Sequence, residues 1–353
     1  MDLLNRKCTH DFLFQNYGLP GGWGLAGNAV AGLRYHTVRV LHKAATPLYW
    51  GDRLAQKGVI VVTIAYRLGP LGFLALPELT RESPHHSSGN YGLMDQIAAL
   101  EWIQRNIAAF VTIAGQSSGS ISVSILMASP LAKGLFQRAI GESGGLFEPL
   151  QLAPKYLLAN AERDGDKYAV SLSAASLKEL RRLPATLLAG NAGGIVHAVI
   201  EPYVLPLSPC EAFNSGQQND VPLLIGSNAE EARAMADVTH ETAATFDSDL
   251  EHSVGQLPLP WLRHIPMRLT KRRNRRSSAW SATSASAGTC GHARLQAGTG
   301  KSPVFYDSFR QQPPFPNGSP YAGWARATSP SSGMSSITWT SRSGTDRGRS
   351  EAG

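Results

Sequence analysis

The stretch VTIAGQSSGS at residues 111–120 constrains this chain more than any other. An apolar run, a tight GQSSG turn and the helix-forming run SGSISVSILMA follow one another without a spare residue. A strand, a sharp turn and a helix in that order form a nucleophile elbow, in which Gly-x-Ser-x-Gly lifts one serine above a sheet. The glycines are required because the serine sits in a strained backbone conformation. Side chains at Gly115 and Gly119 would collide with the neighbouring strand and helix. Ser117 then becomes the candidate nucleophile. The Ser118 amide, at a helix N-terminus, becomes the candidate donor to a developing oxyanion.

The surrounding sequence fits this arrangement. Val59–Ala65 (VIVVTIA) is an unbroken β-branched run, as expected of a strand buried on both faces. From Asn90, apolar residues at Leu93, Ile97, Leu100, Ile103 and Ile107 repeat at helical spacing, predicting an amphipathic helix to about Phe110. Strands are expected at Val111–Gly115, Phe136–Gly141, Val221–Gly226 and Pro303–Phe309, and a helix at Ser118–Ala128. A surface helix pair is expected over Ser173–Leu188. Alternating strands and helices with buried strands imply a mostly parallel, doubly wound α/β sheet. One join is physically odd, because a helix reaching Phe110 leaves no residues to turn into a strand at Val111. Such a connection normally takes about 2–6 residues.

Gly-x-Ser-x-Gly also occurs at 141–145 as GESGG. Ser143 is followed by Gly144, Gly145 and, soon after, Pro149, which do not start a helix. The strand–turn–helix criterion therefore selects Ser117.

Charge is unevenly distributed. Residues 263–353 carry 14 Lys/Arg against 3 Asp/Glu, a net of +11, which leaves −4 for residues 1–262. The basic run Thr270–Ser278 (TKRRNRRSS) has no interleaved aromatics and no recognition-helix pattern, so nucleic acid is not the expected partner. Cys8, Cys210 and Cys290 are too far apart for a zinc site or a disulfide framework. No metal or organic cofactor is implied. No run of about 18 apolar residues marks a membrane span. The N-terminal sequence MDLLNRKCTHDF lacks a basic segment followed by an apolar one, which leaves a cytoplasmic location as the default expectation.

From Pro47 to Ala234 the chain resembles the type-B carboxylesterases, the cholinesterase and para-nitrobenzyl esterase group of α/β-hydrolases. The segments that carry the resemblance are PLYWGDRLAQKGVIVVTIAYRLGPLGFL, GNYGLMDQIAALEWIQRNIAAF, VTIAGQSSGS, ASPLAKGLFQRAIGESGG and VPLLIGSNAEEA. The resemblance implies an α/β-hydrolase fold and a serine esterase acting on small-molecule carboxylic esters through an acyl-enzyme. It places the triad acid on Glu231, within Gly226–Ala232, where a GSNxDEG-like segment follows a core strand. Ala232 stands where the family has glycine.

Three family features are missing from their places. YAGW at 321–324 is followed by ARATSPSSG rather than a histidine, so no catalytic histidine is assigned. His240, His252, His264 and His292 follow Glu231, but none lies in matching sequence. Residues 38–46 (VRVLHKAAT) hold none of the glycines of the family's oxyanion loop, and a GGDP-like loop is absent between Phe110 and Val111. Family-like blocks break off and resume downstream, as in an incomplete or frameshifted reading of such a gene. The expected organisation is an unrecognised segment 1–46, a hydrolase core 47–262, a basic low-complexity segment 263–292, a short return of esterase-like sequence at 293–324, and a disordered tail 325–353. The N-terminal strands and the C-terminal part are thus expected to be degraded. Esterase activity is expected to be weak or absent, and the alternative is a catalytically inactive esterase-like binding protein.

Overall fold

The computed structural model describes residues 36–37, most of 60–145, 154–190, most of 195–228 and most of 289–309. Five parallel strands form one sheet in the order β1 (His36–Thr37), β2 (Thr112–Gln116), β3 (Arg138–Glu142), β4 (Leu223–Asn228) and β5 (Val304–Phe309). Each crossover between neighbouring strands carries helix, as parallel pairing requires. The chain therefore has the α/β architecture that its pattern implies.

Helix α1 (Tyr91–Asn106) turns Leu93, Ile97, Leu100 and Ile103 into the core at the predicted spacing. It ends at Asn106 rather than near Phe110, and β2 begins at Thr112. That resolves the odd join: the apolar tail of the helical pattern belongs to the connection, where Phe110 is 79% exposed. Helix α2 (Ser118–Ala128) runs as expected from the turn. It is buried nearly all round, which explains why SGSISVSILMA shows no polar face. Ile113, Leu100, Ile103, Leu126, Met127, Phe213 and Ile225 meet in the main core.

The Val59–Ala65 expectation fails among the described residues. Ile64 makes a bridge and Ile60 is 58% exposed, and none of the described residues of the run is assigned to a strand. Ile64 packs instead with Tyr66 and Ala99 in a small separate cluster. Strand β1 falls in the segment that showed no pattern, since two residues are too few to produce one.

A second apolar cluster joins helix α3 (Leu158–Ser171) to short helices α4 (Leu177–Leu180) and α5 (Ala185–Gly190); α4 lies inside the expected Ser173–Leu188 pair and α5 runs two residues past its end. Helix α6 (Pro209–Asn214) begins with a complete capping box, Ser208 and Glu211 exchanging bonds. Residues 291–299 are also helical, across the expected boundary at 292/293. Asp220 fixes that segment ahead of β4: its carboxylate accepts from Gln296 Nε2 at 2.7 Å and the Lys301 amide at 2.8 Å.

Candidate active site

The C-terminal ends of β2 and β3 meet at the elbow. Ser117 follows β2 directly, with φ 56° and ψ −123°, a left-handed backbone that costs a non-glycine residue about 1–3 kcal/mol. The residue is exposed, and it precedes α2 without using its hydroxyl as a helix cap. A serine at this position ordinarily accepts from an amide one turn on. The twisted backbone turns that hydroxyl away from the helix.

Close packing enforces the twist. A Cβ at Gly115 would lie 2.2 Å from both the carbonyl carbon and the oxygen of Gly119. The elbow glycines thus let the strand and helix backbones touch, as their sequence positions suggested. Gly115 and Gly119 are buried, and Ser118, the first residue of α2, is half-buried.

The second Gly-x-Ser-x-Gly turn packs against the first. The Ser117 amide donates to the Glu142 carbonyl at 2.8 Å, and the Ser143 amide donates to the Gly226 carbonyl at 2.8 Å. Ser143 shares the unusual φ of 56° but starts no helix. The Gly141 position leaves room for Ser120, whose Oγ would be 2.7 Å from a Cβ there. Glu142 lies beside this junction, and burial pushes its carboxyl up to about 8, with the charge of Asp307 adding to the effect. The sequence signalled this support only through the repeated motif, whose glycines serve packing around the elbow.

Glu231 lies outside the described residues, as do His240, His252, His264 and the YAGW segment at 321–324. His292 is fully buried, with its ring edge-on to Phe213 at 5.0 Å. It is a core residue. A cavity of about 440 Å³ lined by Phe73, Lys155, Tyr168, His197 and Val199 includes no elbow residue. Among the described residues, no cluster of three or more His, Cys, Asp or Glu side chains could hold a metal ion. No helix described is long and apolar enough to cross a membrane.

Residues 39–319 match the model of the carboxylesterase family. The chain belongs to this family. The fumonisin B1 esterase of Sphingopyxis macrogoltabida is 36% identical over 277 residues, which cover 73% of this chain and 49% of that protein. The para-nitrobenzyl esterase of Bacillus subtilis is 35% identical over 236 residues, covering 61% of this chain and 47% of that protein. This carboxylesterase-family chain therefore spans about half the length of the curated relatives it matches. A solved PNB esterase superposes with a TM-score of 0.64 at 29% identity, covering 80% of this chain and 62% of that one. A Geobacillus stearothermophilus carboxylesterase gives 0.62 at 26% identity, covering 77% and 60%. The fold is that of the α/β-hydrolase esterases.

Proposed function

We propose that this chain carries the nucleophilic half of a carboxylic ester hydrolase. The observation that carries the reading is Ser117 itself, exposed in a strained turn between a buried strand and a buried helix. In this reading Ser117 Oγ attacks the ester carbonyl and the Ser118 amide faces the oxyanion. The alcohol leaves, and water then releases the acid from the acyl-enzyme. Glu231 has the role of triad acid, which in such a triad orients the histidine that takes the serine proton and passes it to the leaving alcohol; no histidine of this chain is assigned to that step. The substrates are small-molecule carboxylic esters, and the match to esterases over residues 39–319 supports that class.

Turnover is expected to be slow. The sequence after His292 contains no histidine, and YAGW is followed by Ala325 and Arg326. An elbow that lacks its base keeps only a remnant of about 10³–10⁴ over water from binding and oxyanion stabilisation. That observation favours a second reading, an esterase scaffold kept for binding. A fluorophosphonate probe followed by peptide mass analysis separates the two. Adduct on the Ser117 peptide, lost in Ser117→Ala together with any p-nitrophenyl ester hydrolysis, supports the hydrolase. A folded chain that binds ester without adduct supports the binding protein.

A further inference from the structure

We propose that Ser120 is a positioning residue for the elbow, clamping the peptide unit between Ser117 and Ser118 to the turn that follows β3. The inference deepens the hydrolase reading and rests on it for its catalytic consequence.

Four serines, Ser118, Ser120, Ser122 and Ser124, lie on alternate positions of α2. Ser122 donates to the carbonyl of Ser118 at 3.1 Å within the helix while accepting from Gln96 Nε2 at 3.4 Å, and Ser124 donates to the carbonyl of Ile121 at 2.7 Å. Such internal bonds are the ordinary way for a helical serine to satisfy its hydroxyl. Ser120 behaves differently. It is fully buried, and its hydroxyl donates out of the helix to the Gly144 carbonyl at 2.7 Å.

The receiving turn is shaped for this bond. A Cβ at Gly141 would sit 2.7 Å from Ser120 Oγ, and one at Gly144 would sit 3.2 Å from Ser120 Cβ. The same Cβ at Gly144 would meet the Ser117 carbonyl oxygen at 2.5 Å. Gly144 is therefore both the acceptor for Ser120 and the backbone pressed against Ser117. The Glu142 carbonyl takes the Ser117 amide from the other side. Residues 142–144 grip the elbow at its amide, at its carbonyl and through Ser120.

The carbonyl of Ser117 and the amide of Ser118 belong to one planar peptide unit. Fixing the carbonyl fixes the direction of the Ser118 N–H. The Ile121 amide holds that carbonyl from within α2 at 3.1 Å, and Gly144 closes its other side. An oxyanion donor acts by being aimed beforehand at charge that exists only in the transition state. Loosening it lowers the chemical rate and leaves substrate binding largely alone.

Ser120→Ala, compared with Ser122→Ala, whose hydroxyl bonds Ser118 and Gln96 but not the turn after β3, provides the test on the full chain. Hydrogen exchange is followed for peptides covering 115–121 and 142–145. In Ser120→Ala both segments exchange about tenfold faster or more, because one buried bond worth roughly 1.4 kcal/mol is a tenfold change in local opening. Ser122→Ala leaves 142–145 unchanged. In parallel, the second-order rate of Ser117 phosphonylation falls about tenfold per folded molecule, and where ester turnover is measurable kcat falls while KM holds. Unchanged exchange at both segments in Ser120→Ala overturns the proposal. Altered exchange with undiminished Ser117 labelling also overturns it. If the parent chain is not labelled at all, the hydrolase reading fails, and the exchange data alone still decide whether Ser120 clamps the elbow.

Discussion

Glu142 and Asp307 stand in one row across the sheet with only Gly226 between them. A Cβ at Gly226 would meet the Asp307 carbonyl oxygen at 2.5 Å, so nothing larger than hydrogen fits there. Burial, reinforced by the Asp307 charge, raises the Glu142 carboxyl from 4.5 to about 8. The folded chain then keeps a proton that the unfolded chain releases near 4.5. Stability contributed by that proton is complete below pH 4.5 and is lost as pH rises to about 8. Glu142→Gln is expected to remove this slope and to be the more stable form above pH 8. Urea midpoints measured from pH 5 to 9 check it, and parallel slopes for the two proteins would count against it.

His292 gives the opposite limb. Complete burial pulls its imidazole from 6.5 down to about 3, so the folded chain holds it neutral. Below pH 6.5 the unfolded chain takes up a proton that the folded chain refuses. Stability therefore declines as pH falls from 6.5 towards 3. His292→Gln is expected to flatten that acid limb while leaving the midpoint at pH 8 within about 1 kcal/mol, a typical error for a polar swap. Denaturant melts at pH 4, 5.5 and 8 make the comparison.

Local sequence signals located the elements around the elbow to within two residues. The end of β2, the start of α2 and β5 were legible because turn chemistry and apolar runs act over a few residues. Val59–Ala65 reads as a strand from its β-branched run, yet its described residues carry only the Ile64 bridge, since strand propensity depends on context. The helix at 291–299 was missed because its hold on the fold is long-range. Gln296 bonds Asp220, 76 residues earlier, and His292 packs on Phe213. At the site, the motif identified Ser117 and Gly115. Ser120 stayed hidden because one serine among four on a helix gains its role only from the turn it faces.

Gly115→Ala tests the elbow packing directly. Its methyl would lie 2.2 Å from backbone atoms of Gly119, which cannot swing aside as a side chain would. Forcing strand β2 and helix α2 apart is expected to cost about 1–3 kcal/mol or more in strain. It should also reduce soluble yield and abolish phosphonate labelling of Ser117. A Gly115→Ala chain that melts with the parent and labels at the same rate would show that the strand–helix contact is dispensable.

Asn90 precedes α1 but does not cap it; its side chain is used elsewhere. Its amide donates to the Val199 carbonyl at 2.6 Å and to Glu201 Oε1 at 2.7 Å, while its Oδ1 accepts from the Val199 amide at 2.8 Å. Glu201 is 3% exposed and also accepts from the amides of Tyr203 at 2.7 Å and Val204 at 2.8 Å. The pair thus ties the start of α1 to residues 199–204 through direct bonds. Asn90→Ala removes three bonds and leaves the backbone groups of Val199 buried without that side chain. Each buried group so orphaned costs about 1–3 kcal/mol, so the variant should lose at least 2 kcal/mol in a urea melt. Glu201→Gln keeps the shape but turns an NH₂ towards donors, and a comparable loss is expected. If both variants stay within about 0.5 kcal/mol of the parent, as surface changes do, the tie carries no weight in the fold.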